Sequence, residues 1–281
     1  MSEFVAQGDI LVAAEVRSLL QSAGLDSFES FMAYPGGRRV VHKRGRSVYR
    51  FKIGDRAFFL KRNYQHPAEV WKSVCRLHLP KLGARTEWEN IRSLQLAGIP
   101  TVKPIAFGER RCCGIETVSF TVTEEIYGAE PLDVVWRRNF TLPRSQEQVR
   151  EKKRLLKGMA ALARKFHAEG MNHQDFYLNH FFLGSDDVLF LIDLQRVQRR
   201  TRVPRRYIIK DLAQLNYSTR VYGGISNADR LRFFMEYSGR RHLNEKAKRL
   251  IHDIHVKTAR IARHDLKLAV RRRLRGELPP V

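Results

Sequence analysis

Two acidic residues with unusual neighbours are the first candidates for chemistry in this sequence. Residues 173–183, HQDFYLNHFFL, carry Asp175 two positions after His173, and His180 follows five residues later, before an apolar run. The second acid, Asp193, stands inside the apolar segment LFLIDLQR. Strands disfavour Asp, and burial of an unpaired carboxylate costs free energy, so this position indicates a functional charge.

A lysine and a glutamate precede these acids in a particular order. Lys61 ends the strand-like segment GDRAFFLKR, and Glu87 lies on the helical segment TEWENIRSLQLAGIP, where Glu89 is an alternative for the same role. A strand pair ending in TVTEEI and a long helix then lead into the His-x-Asp of Asp175, and Asp193 follows on a strand. This is the order of parts in the protein-kinase-like fold, and the whole order is much rarer by chance than any single part.

Each residue type suits one part of phosphoryl transfer, which depends mainly on positioning and charge neutralisation. We expect Lys61 to reach the α- and β-phosphates of ATP and Glu87 to fix that long side chain. Asp193 offers the hard oxygen atoms that Mg²⁺ prefers, and Asp175 is the expected base for an acceptor hydroxyl.

The nucleotide-binding parts include one departure from the usual kinase pattern. Backbone groups near Glu124 and Ile126 are expected to meet the adenine edge. No Gly-x-Gly-x-x-Gly loop precedes Lys61, because HKRGRSVYRF contains one glycine. The missing loop weakens the expectation that backbone amides close tightly over the phosphates.

Length and pattern predict the architecture. The chain has 281 residues, of which 43% are hydrophobic, enough for one large or bilobal domain. The prediction is an α+β, protein-kinase-like bilobal fold, with a small antiparallel β-sheet N-lobe holding one main helix and a larger, mostly helical C-lobe. Residues 1–30 are predicted as a helical N-terminal extension, 31–126 as the N-lobe, and 127–281 as the C-lobe with basic C-terminal helices.

Cysteine usage and charge indicate the compartment and the partners. Cys75, Cys112 and Cys113 form neither a disulfide framework nor a zinc pattern, so a reducing cytoplasm fits. The N-terminus does not resemble a signal peptide, and apolar runs such as VLFLI are too short to span a bilayer. The formal net charge of +23 indicates an anionic partner, and no aromatic-rich nucleic-acid motif accompanies it, so nucleic acid is not expected.

Three segments resemble a particular family of kinases. KLGARTEWENIRSLQLAGIPTVKPIAFGE, MNHQDFYLNHFFL and LIDLQRVQRRTRVPRRYIIKDLAQLNYS resemble the lipopolysaccharide core heptose kinases and their relatives in the lipopolysaccharide-kinase superfamily, over roughly residues 45–235. The resemblance implies phosphorylation of an inner-core heptose by ATP and Mg²⁺ at the cytoplasmic face of the inner membrane. By the same resemblance Asp175 is the catalytic base, Asp193 the metal ligand and Lys61 the ATP-phosphate ligand.

Some positions depart from ordinary protein kinases. His180 stands where protein kinases usually have an Asn that helps to hold a second metal. His is a poor Mg²⁺ ligand, although the heptose-kinase branch also has His at this position. Asn179 is the neighbouring candidate for the same role. Gln174 replaces the usual Arg, so control through a phosphorylated activation loop is not expected. Leu194 and Gln195 follow Asp193 in place of Phe-Gly, which suggests a stiffer segment.

The resemblance gives the positive charge a use. The expected partners are the lipopolysaccharide core glycolipid, the anionic surface of the inner membrane and, on charge alone, an acidic carrier protein. Two basic clusters are candidates for these contacts. The first, suited to acceptor anions, comprises Arg199, Arg200, Arg202, Arg205 and Arg206, and the second, suited to a membrane, comprises Lys267, Arg271, Arg272, Arg273 and Arg275.

Competing interpretations stay open at this point. Taken singly, Lys61 is more often a solvated strand-end cation, Glu87 an exposed helix charge and His173 a hydrogen-bonded structural residue. The same fold also serves kinases of other sugars or of proteins. A catalytically dead kinase-like module that binds anions or a membrane is the alternative from another class.

Overall fold

The computed structural model describes five stretches of the chain and divides the protein into two compact units. The described residues are 3–43, 45–64, 83–112, 115–142 and 145–275. Unit 1 comprises Met1–Gly128 with Ile192–Arg196, and unit 2 comprises Ala129–Leu191 with Val197–Val281. Asp193 therefore belongs to unit 1, whereas Asp175 and His180 belong to unit 2. Cys75 and Cys113 lie outside the described residues.

Unit 1 is built on a seven-stranded antiparallel sheet in the order β1-β2-β6-β7-β5-β4-β3. The strands are β1 Phe4–Gln7, β2 Ile10–Ala13, β3 Arg38–Lys43, β4 Arg46–Ile53, β5 Arg56–Tyr64, β6 Lys103–Cys112 and β7 Ile115–Glu124. The helices described in unit 1 are α1 Arg17–Ser22, α2 Phe28–Ala33 and α3 Ala84–Leu96. The predicted antiparallel sheet with a main helix, α3, is confirmed.

The N-terminal segment differs from its prediction as a helical extension. It contains α1 and the start of α2, but its first residues form the β1–β2 hairpin, and β2 pairs with β6 to extend the sheet. Ile10 and Val12 of β2 belong to the unit 1 core. Four-residue strands give too short an alternating pattern to be distinguished from a helix turn, so the sequence did not indicate them.

The two faces of the unit 1 sheet have different chemistry, because side chains alternate along a strand. One face carries buried Phe58, Leu60 and Phe120, which pack with the first two helices. The other face carries Lys61 of β5 and Thr121 of β7, which lie opposite each other in the ladder. Helix α3 packs against this second face, where its Trp88 stacks on Phe107 of β6 with ring centroids 5.5 Å apart.

Unit 2 is mostly helical, as predicted. Its helices are α4 Leu132–Asn139, α5 Gln146–Ala168, α6 Arg205–Tyr222, α7 Asn227–Ser238 and α8 Glu245–Leu274. Its short strands are β8 Glu130–Pro131, β9 Met171–Asn172, β10 Phe181–Leu183, β11 Leu189–Leu191 and β12 Gln198–Arg199. Among the helices that the structure describes, none is long and apolar enough to cross a membrane.

The long helix α5 leads directly into the segment that carries Asp175. A capping box between Ser145 and Gln148 starts the helix, and a buried apolar stripe holds it in the core. Gly170 ends the turn after the helix with φ +73, and a Cβ there would lie 1.9 Å from the carbonyl oxygen of Arg200. Only glycine fits this close approach, and the chain then enters β9 immediately before His173.

Candidate active site

Lys61, Glu87 and Asp193 lie together in unit 1. The ammonium group of Lys61 forms an ion pair with Oε1 of Glu87 and lies 3.6 Å from Oδ1 of Asp193. The Glu87 residue is 2% exposed, whereas Glu89, the alternative, pairs with Arg85 at 3.7 Å near the surface. The structure therefore brings together the lysine, the helix glutamate and the second aspartate, and it selects Glu87 over Glu89.

The position of Glu87 follows from the start of α3. Gly83 precedes the helix with φ 95, and its carbonyl oxygen accepts a hydrogen bond from the N–H of Glu87 at 2.7 Å. A carboxylate in the first helical turn is favoured by the helix dipole. Oε2 of Glu87 is buried without a hydrogen-bond partner among the described residues, so the ion pair with Lys61 is its main compensation for burial.

Asp193 occupies a strained backbone position just after β11. Its φ of 57 is left-handed, a conformation that costs roughly 1–3 kcal/mol for a residue with a side chain. The turn that follows is tied to α3, because Nδ2 of Asn90 donates to the carbonyl oxygen of Leu194 at 2.9 Å. Strain of this kind persists where the surroundings fix it, and it is typical of functional positions.

Glu124, which was predicted with Ile126 to meet the adenine edge, is the last residue of β7, and Ile126 follows two residues later. Oε1 of Glu124 accepts a hydrogen bond from Nε of Arg56 at 2.6 Å, and this bond raises the pKa of the Arg56 guanidinium. The N–H of Glu125 donates to the carbonyl oxygen of Ala57 at 2.9 Å, which extends the pairing with β5 by one residue. The backbone that leaves the sheet here is therefore fixed at its first residues.

In unit 2, Asp211 of α6 holds the backbone in front of Asp175. Its carboxylate accepts hydrogen bonds from the N–H groups of His173 at 2.6 Å and Gln174 at 2.9 Å. His167 of α5 approaches the same carboxylate at 3.4 Å. Asp211, His173 and His167 are buried, and Gln174 is half-buried. A buried hydrogen bond is strong, and its loss is costly.

Two further residues on the same face of α6 continue this support. Gln214 accepts from the N–H of Phe176 at 3.0 Å and donates to the carbonyl oxygen of Gln174 at 2.7 Å. Ser218 accepts from the N–H of Leu178 at 3.1 Å. The spacing of three and four residues places Asp211, Gln214 and Ser218 in one row along the helix, so one rigid element fixes residues 173–178.

Gln174 is the strained residue of this loop. Its φ is 69, left-handed for a residue with a side chain, and both its N–H and its carbonyl oxygen are held by α6. Such a conformation persists only when several contacts determine it. This fixed conformation sets the direction in which the side chain of the next residue, Asp175, leaves the backbone.

His180 closes the loop from its other end. Its Nδ1 lies 2.7 Å from the carbonyl oxygen of Asp175, and because a carbonyl only accepts, Nδ1 carries the proton. Its ring stacks on His173 with centroids 5.6 Å apart. In a neutral imidazole Nε2 then has the lone pair, the arrangement found in histidines that ligate metals.

Several supporting residues were not predicted from the sequence. Asp211, Gln214 and Ser218 lie in the segment KDLAQLNYS, where polar residues interrupt an apolar helix pattern at helical spacing. Polar residues on a buried helix face signal that they have partners, and this signal was available. Arg46 at the start of β4, whose guanidinium lies 3.7 Å from Asp193, gave no such signal.

The residues of unit 1 suit a metal that arrives with a nucleotide. Over the residues that the structure describes, no three His, Cys, Asp or Glu side chains cluster closely enough to form a metal site by themselves. Mg²⁺ in nucleotide sites is usually held by one or two protein carboxylates together with phosphate oxygens. Asp193, a carboxylate with 34% of its side chain exposed, provides that type of ligand.

Comparisons with known proteins identify relatives that match most of this chain. The lipopolysaccharide core heptose(I) kinase WaaP of Pseudomonas aeruginosa PAO1 is 35% identical over 226 residues, which cover 76% of this chain and 81% of that protein. The kinase of the same name from Escherichia coli K12 is 34% identical over 205 residues, covering 69% of this chain and 75% of that protein.

A solved structure and a family model extend the comparison. The structure, described as WaaP in complex with acyl carrier protein, superposes with a TM-score of 0.68 at 31% identity and covers 92% of this chain and 98% of that one. The model of the lipopolysaccharide kinase (Kdo/WaaP) family matches residues 32–237, well over half of the sequence. The chain belongs to the lipopolysaccharide kinase (Kdo/WaaP) family.

Proposed function

We propose that the protein is an ATP-dependent kinase that phosphorylates a heptose of the lipopolysaccharide inner core. Relatives at 34–35% identity carry the name of that activity. The observation that carries the proposal is the ion-paired cluster of Lys61 with Glu87 and Asp193, because a half-buried lysine held by carboxylates is poised to bind a polyphosphate.

In the proposed mechanism unit 1 binds the nucleotide. Lys61, oriented by Glu87, binds the α- and β-phosphates, and backbone groups near Glu124 and Ile126 meet the adenine. Asp193 would ligate Mg²⁺, which would neutralise charge on the phosphates when bound. His180 of unit 2 is the candidate for a second metal contact, and Nε2 is the ring nitrogen that would make it.

Unit 2 supplies the base. Asp175 takes the proton of the heptose hydroxyl. At the same time the oxygen of that hydroxyl forms a bond to the γ-phosphorus of ATP, and the bond between this phosphorus and the oxygen of the leaving ADP breaks. The hydrogen bonds from α6 to residues 173–178 support this role, because a base is efficient only when its geometry is fixed before the reaction.

The first basic cluster is proposed to bind acidic groups of the core. Arg200 donates to Oδ1 of Asn172 at 3.0 Å, directly before the loop of Asp175, and its guanidinium lies 4.4 Å from the centroid of the Tyr207 ring. A hydrogen bond from Arg206 lowers the pKa of the Tyr207 hydroxyl. Guanidinium groups held in this way suit the recognition of phosphates and carboxylates.

The test is incubation of the protein with ATP, Mg²⁺ and dephosphorylated core glycolipid, followed by mass spectrometry for one added phosphate. We expect the wild type to add it, and Asp175→Asn to bind ATP normally but to transfer no phosphate. Full turnover by Asp175→Asn would refute the base assignment. A wild type that binds anionic vesicles but neither binds nor uses ATP would favour the dead-module alternative.

We also propose an acidic acyl carrier protein as a partner. A cavity of about 230 Å³ lies inside unit 2, among α5, α6, α7 and α8, and its lining is mainly apolar. The apolar lining includes Met159, Leu215, Phe234 and Ile254, and Arg230 is its cationic member. Burial lowers the pKa of His255, which also lines the cavity, so this side chain is a polar and not a cationic neighbour at neutral pH. An apolar cavity beside an arginine matches an acyl group on an acidic carrier, the type of protein bound in the solved relative.

Leu231 offers a test of the carrier proposal. It lines the cavity and is 43% exposed, so Leu231→Glu should fold while placing a charge beside the acyl group. We expect wild type to bind an acylated carrier at least tenfold more tightly than the unacylated carrier, and Leu231→Glu to lose that difference. The matched control is Val256→Glu, equally exposed at 43% and outside the cavity lining. Equal binding of both carrier forms by wild type would refute the cavity assignment.

We propose that the protein works at the cytoplasmic face of the inner membrane, bound peripherally through its basic surface. The support is the net charge of +23 and the exposed basic end of α8. Anionic lipids attract such clusters by about 1 kcal/mol for each cation near the surface.

A further inference from the structure

Arg46 is a second cation, besides Lys61, that contacts Asp193. Its Nη2 lies 3.7 Å from Oδ1 of Asp193, the same oxygen that lies 3.6 Å from Nζ of Lys61. At 3.7 Å the contact is an ion pair without a good hydrogen bond. Two cations therefore share one carboxylate oxygen in unit 1.

The backbone holds Arg46 in this place. The N–H of Tyr64 donates to the carbonyl oxygen of Gly45 at 2.8 Å, which ties the start of β4 to the end of β5. Gly45 has φ +78, and a Cβ there would lie 2.8 Å from the carbonyl oxygen of Tyr64. The turn thus needs glycine for its conformation and for space, and the next residue, Arg46, starts the strand at a fixed point.

The strand register puts Arg46 on the face of Lys61. Arg46 lies opposite Asn63, and Val48 lies opposite Lys61. Opposite residues of an antiparallel pair share a face, and so do residues two apart on a strand. The arginine and the lysine therefore project from the same side of the sheet, two residues apart along the ladder.

The side chain of Arg46 has unused hydrogen-bonding capacity. Its Nε is buried and has no hydrogen-bond partner among the described residues. A buried donor without an acceptor costs free energy, and a guanidinium recognises phosphate through several parallel N–H groups. Phosphate oxygens of a bound nucleotide would satisfy the donor.

We propose that Arg46 binds the terminal phosphates of ATP in place of the backbone amides of a glycine-rich loop. This inference rests on the proposed function and assigns the residue that compensates for the missing Gly-x-Gly-x-x-Gly pattern. Glu87 already neutralises Lys61, and a cation on Asp193 weakens the hold of that carboxylate on Arg46. The guanidinium is then available to the phosphates.

The experiment compares the binding of Mg–ATP and of adenosine by isothermal titration calorimetry. We expect Arg46→Gln to weaken Mg–ATP binding about 10- to 100-fold and to leave adenosine binding unchanged, because only phosphate contacts are lost. Arg46→Lys, which keeps the charge but not the planar group, should fall between wild type and Arg46→Gln. Lys52→Ala is the control, because Lys52 is an exposed cation of the same strand.

The outcomes separate this inference from the proposed function. Wild-type affinity for Mg–ATP in a folded Arg46→Gln variant overturns the role of Arg46 while leaving the kinase proposal intact. An equal loss for Mg–ATP and adenosine also overturns it, because the effect would then be on the fold of unit 1. A wild type that binds no nucleotide refutes both proposals. Thermal unfolding of each variant confirms that it is folded.

Discussion

At the scale of single residues, the two carboxylates beside Lys61 differ in what they need from it. Glu87 is 2% exposed, and its second oxygen lacks a hydrogen-bond partner among the described residues, whereas 34% of the Asp193 side chain is exposed. Water therefore compensates Asp193 in part and Glu87 very little. Lys61 has two acidic neighbours that can balance its charge, whereas Glu87 depends on the charge of Lys61 to offset the cost of its burial.

This difference predicts unequal costs for breaking the pair. Lys61→Met leaves Glu87 as a buried carboxylate without a counterion, and we expect a loss of about 3–5 kcal/mol of unfolding free energy. Glu87→Gln leaves Lys61 beside Asp193, so its cost should be clearly smaller. Urea denaturation of both variants measures the two losses.

The double variant Lys61→Met with Glu87→Gln is the control, and it should recover much of the stability lost in Lys61→Met, because no buried charge remains. If Glu87→Gln is as destabilising as Lys61→Met, the assigned dependence is wrong.

Individual residues were predictable where their chemical type stood out from the pattern. The series Lys61, Glu87 and Asp193 could be recognised in the sequence. A lysine on a strand, a glutamate on the next helix and an aspartate in a later apolar segment are uncommon in this order. Neither the left-handed φ of Asp193 nor the contact of Arg46 was visible, because both depend on the turns that bring distant strands together. An arginine at a strand start is ordinary in any basic sequence.

At the scale of elements, α6 is the support of the segment that carries Asp175. We expect Asp211→Ala to lower kcat about 100-fold or more while the KM for ATP stays unchanged, because the N–H groups of His173 and Gln174 lose their acceptor and the loop direction is lost. Ser218→Ala, which removes one acceptor further along the loop, should have a smaller effect. Steady-state kinetics with varied ATP separates the two parameters.

A fall in ATP affinity for Asp211→Ala equal to the fall in kcat would contradict this assignment. Asn216→Ala is the control, because Asn216 lies on the same helix and bonds to Thr258 of α8 instead of to the loop. Its kcat should stay near that of wild type.

A second prediction at this scale concerns the link between α5 and α7. Lys152 donates to Oδ2 of Asp229 at 2.9 Å, and both residues are buried. Burial acts to raise the pKa of Asp229, but the bonds from Lys152 and Ser226 outweigh it and lower the pKa. We expect Lys152→Met to cost about 3 kcal/mol, because Ser226 and Arg232 still contact the carboxylate.

The same pair predicts a dependence on pH. A carboxyl whose pKa is lower in the folded than in the unfolded state stabilises the fold above its unfolded pKa, and that stability is lost as the pH falls through the folded value. The ordinary pKa of an Asp side chain is 3.8, so the loss should occur as the pH falls below that value. Acid denaturation of Asp229→Asn should lack this component, and an acid profile identical to that of wild type would contradict the pairing.

Elements were predicted where their patterns were long. The helices α3 and α5 have apolar stripes over thirteen and twenty-three residues and were expected, as were the antiparallel strands β3 to β7. The four-residue strands β1 and β2 were missed, because such short segments form by pairing with β6 and not by their own preference. The role of α6 was missed for a related reason, since its partners lie far away in the sequence.

At the scale of the whole molecule, the positive residues behind the net charge of +23 differ in how far neighbouring acidic side chains neutralise them. Several arginines are neutralised locally, as in the pair of Arg50 with Glu125 at 2.6 Å, which raises the pKa of that arginine. The C-terminal half of α8 differs, because it combines a basic cluster with exposed apolar residues. Leu266, Val270 and Leu274 are 66%, 48% and 82% exposed and follow one another at four-residue spacing. A helix with an apolar stripe beside cations is typical of segments that lie on a membrane surface.

This arrangement predicts two separable contributions to membrane binding, which co-sedimentation with anionic vesicles can measure. Replacement of the cations Lys267, Arg271, Arg272 and Arg273 by Gln should weaken binding strongly at low salt and little at high salt, because salt screens exposed charges. Replacement of Leu266, Val270 and Leu274 by Ser should weaken binding about tenfold or more at both salt concentrations, because apolar burial is not screened.

The control for this prediction replaces four cations of another helix, α5, by Gln, and this variant should bind almost as wild type does. The four residues are Arg150, Lys153, Lys157 and Lys165. An equal loss in the control set would mean that net charge alone, and not this end of α8, attracts the protein to the membrane.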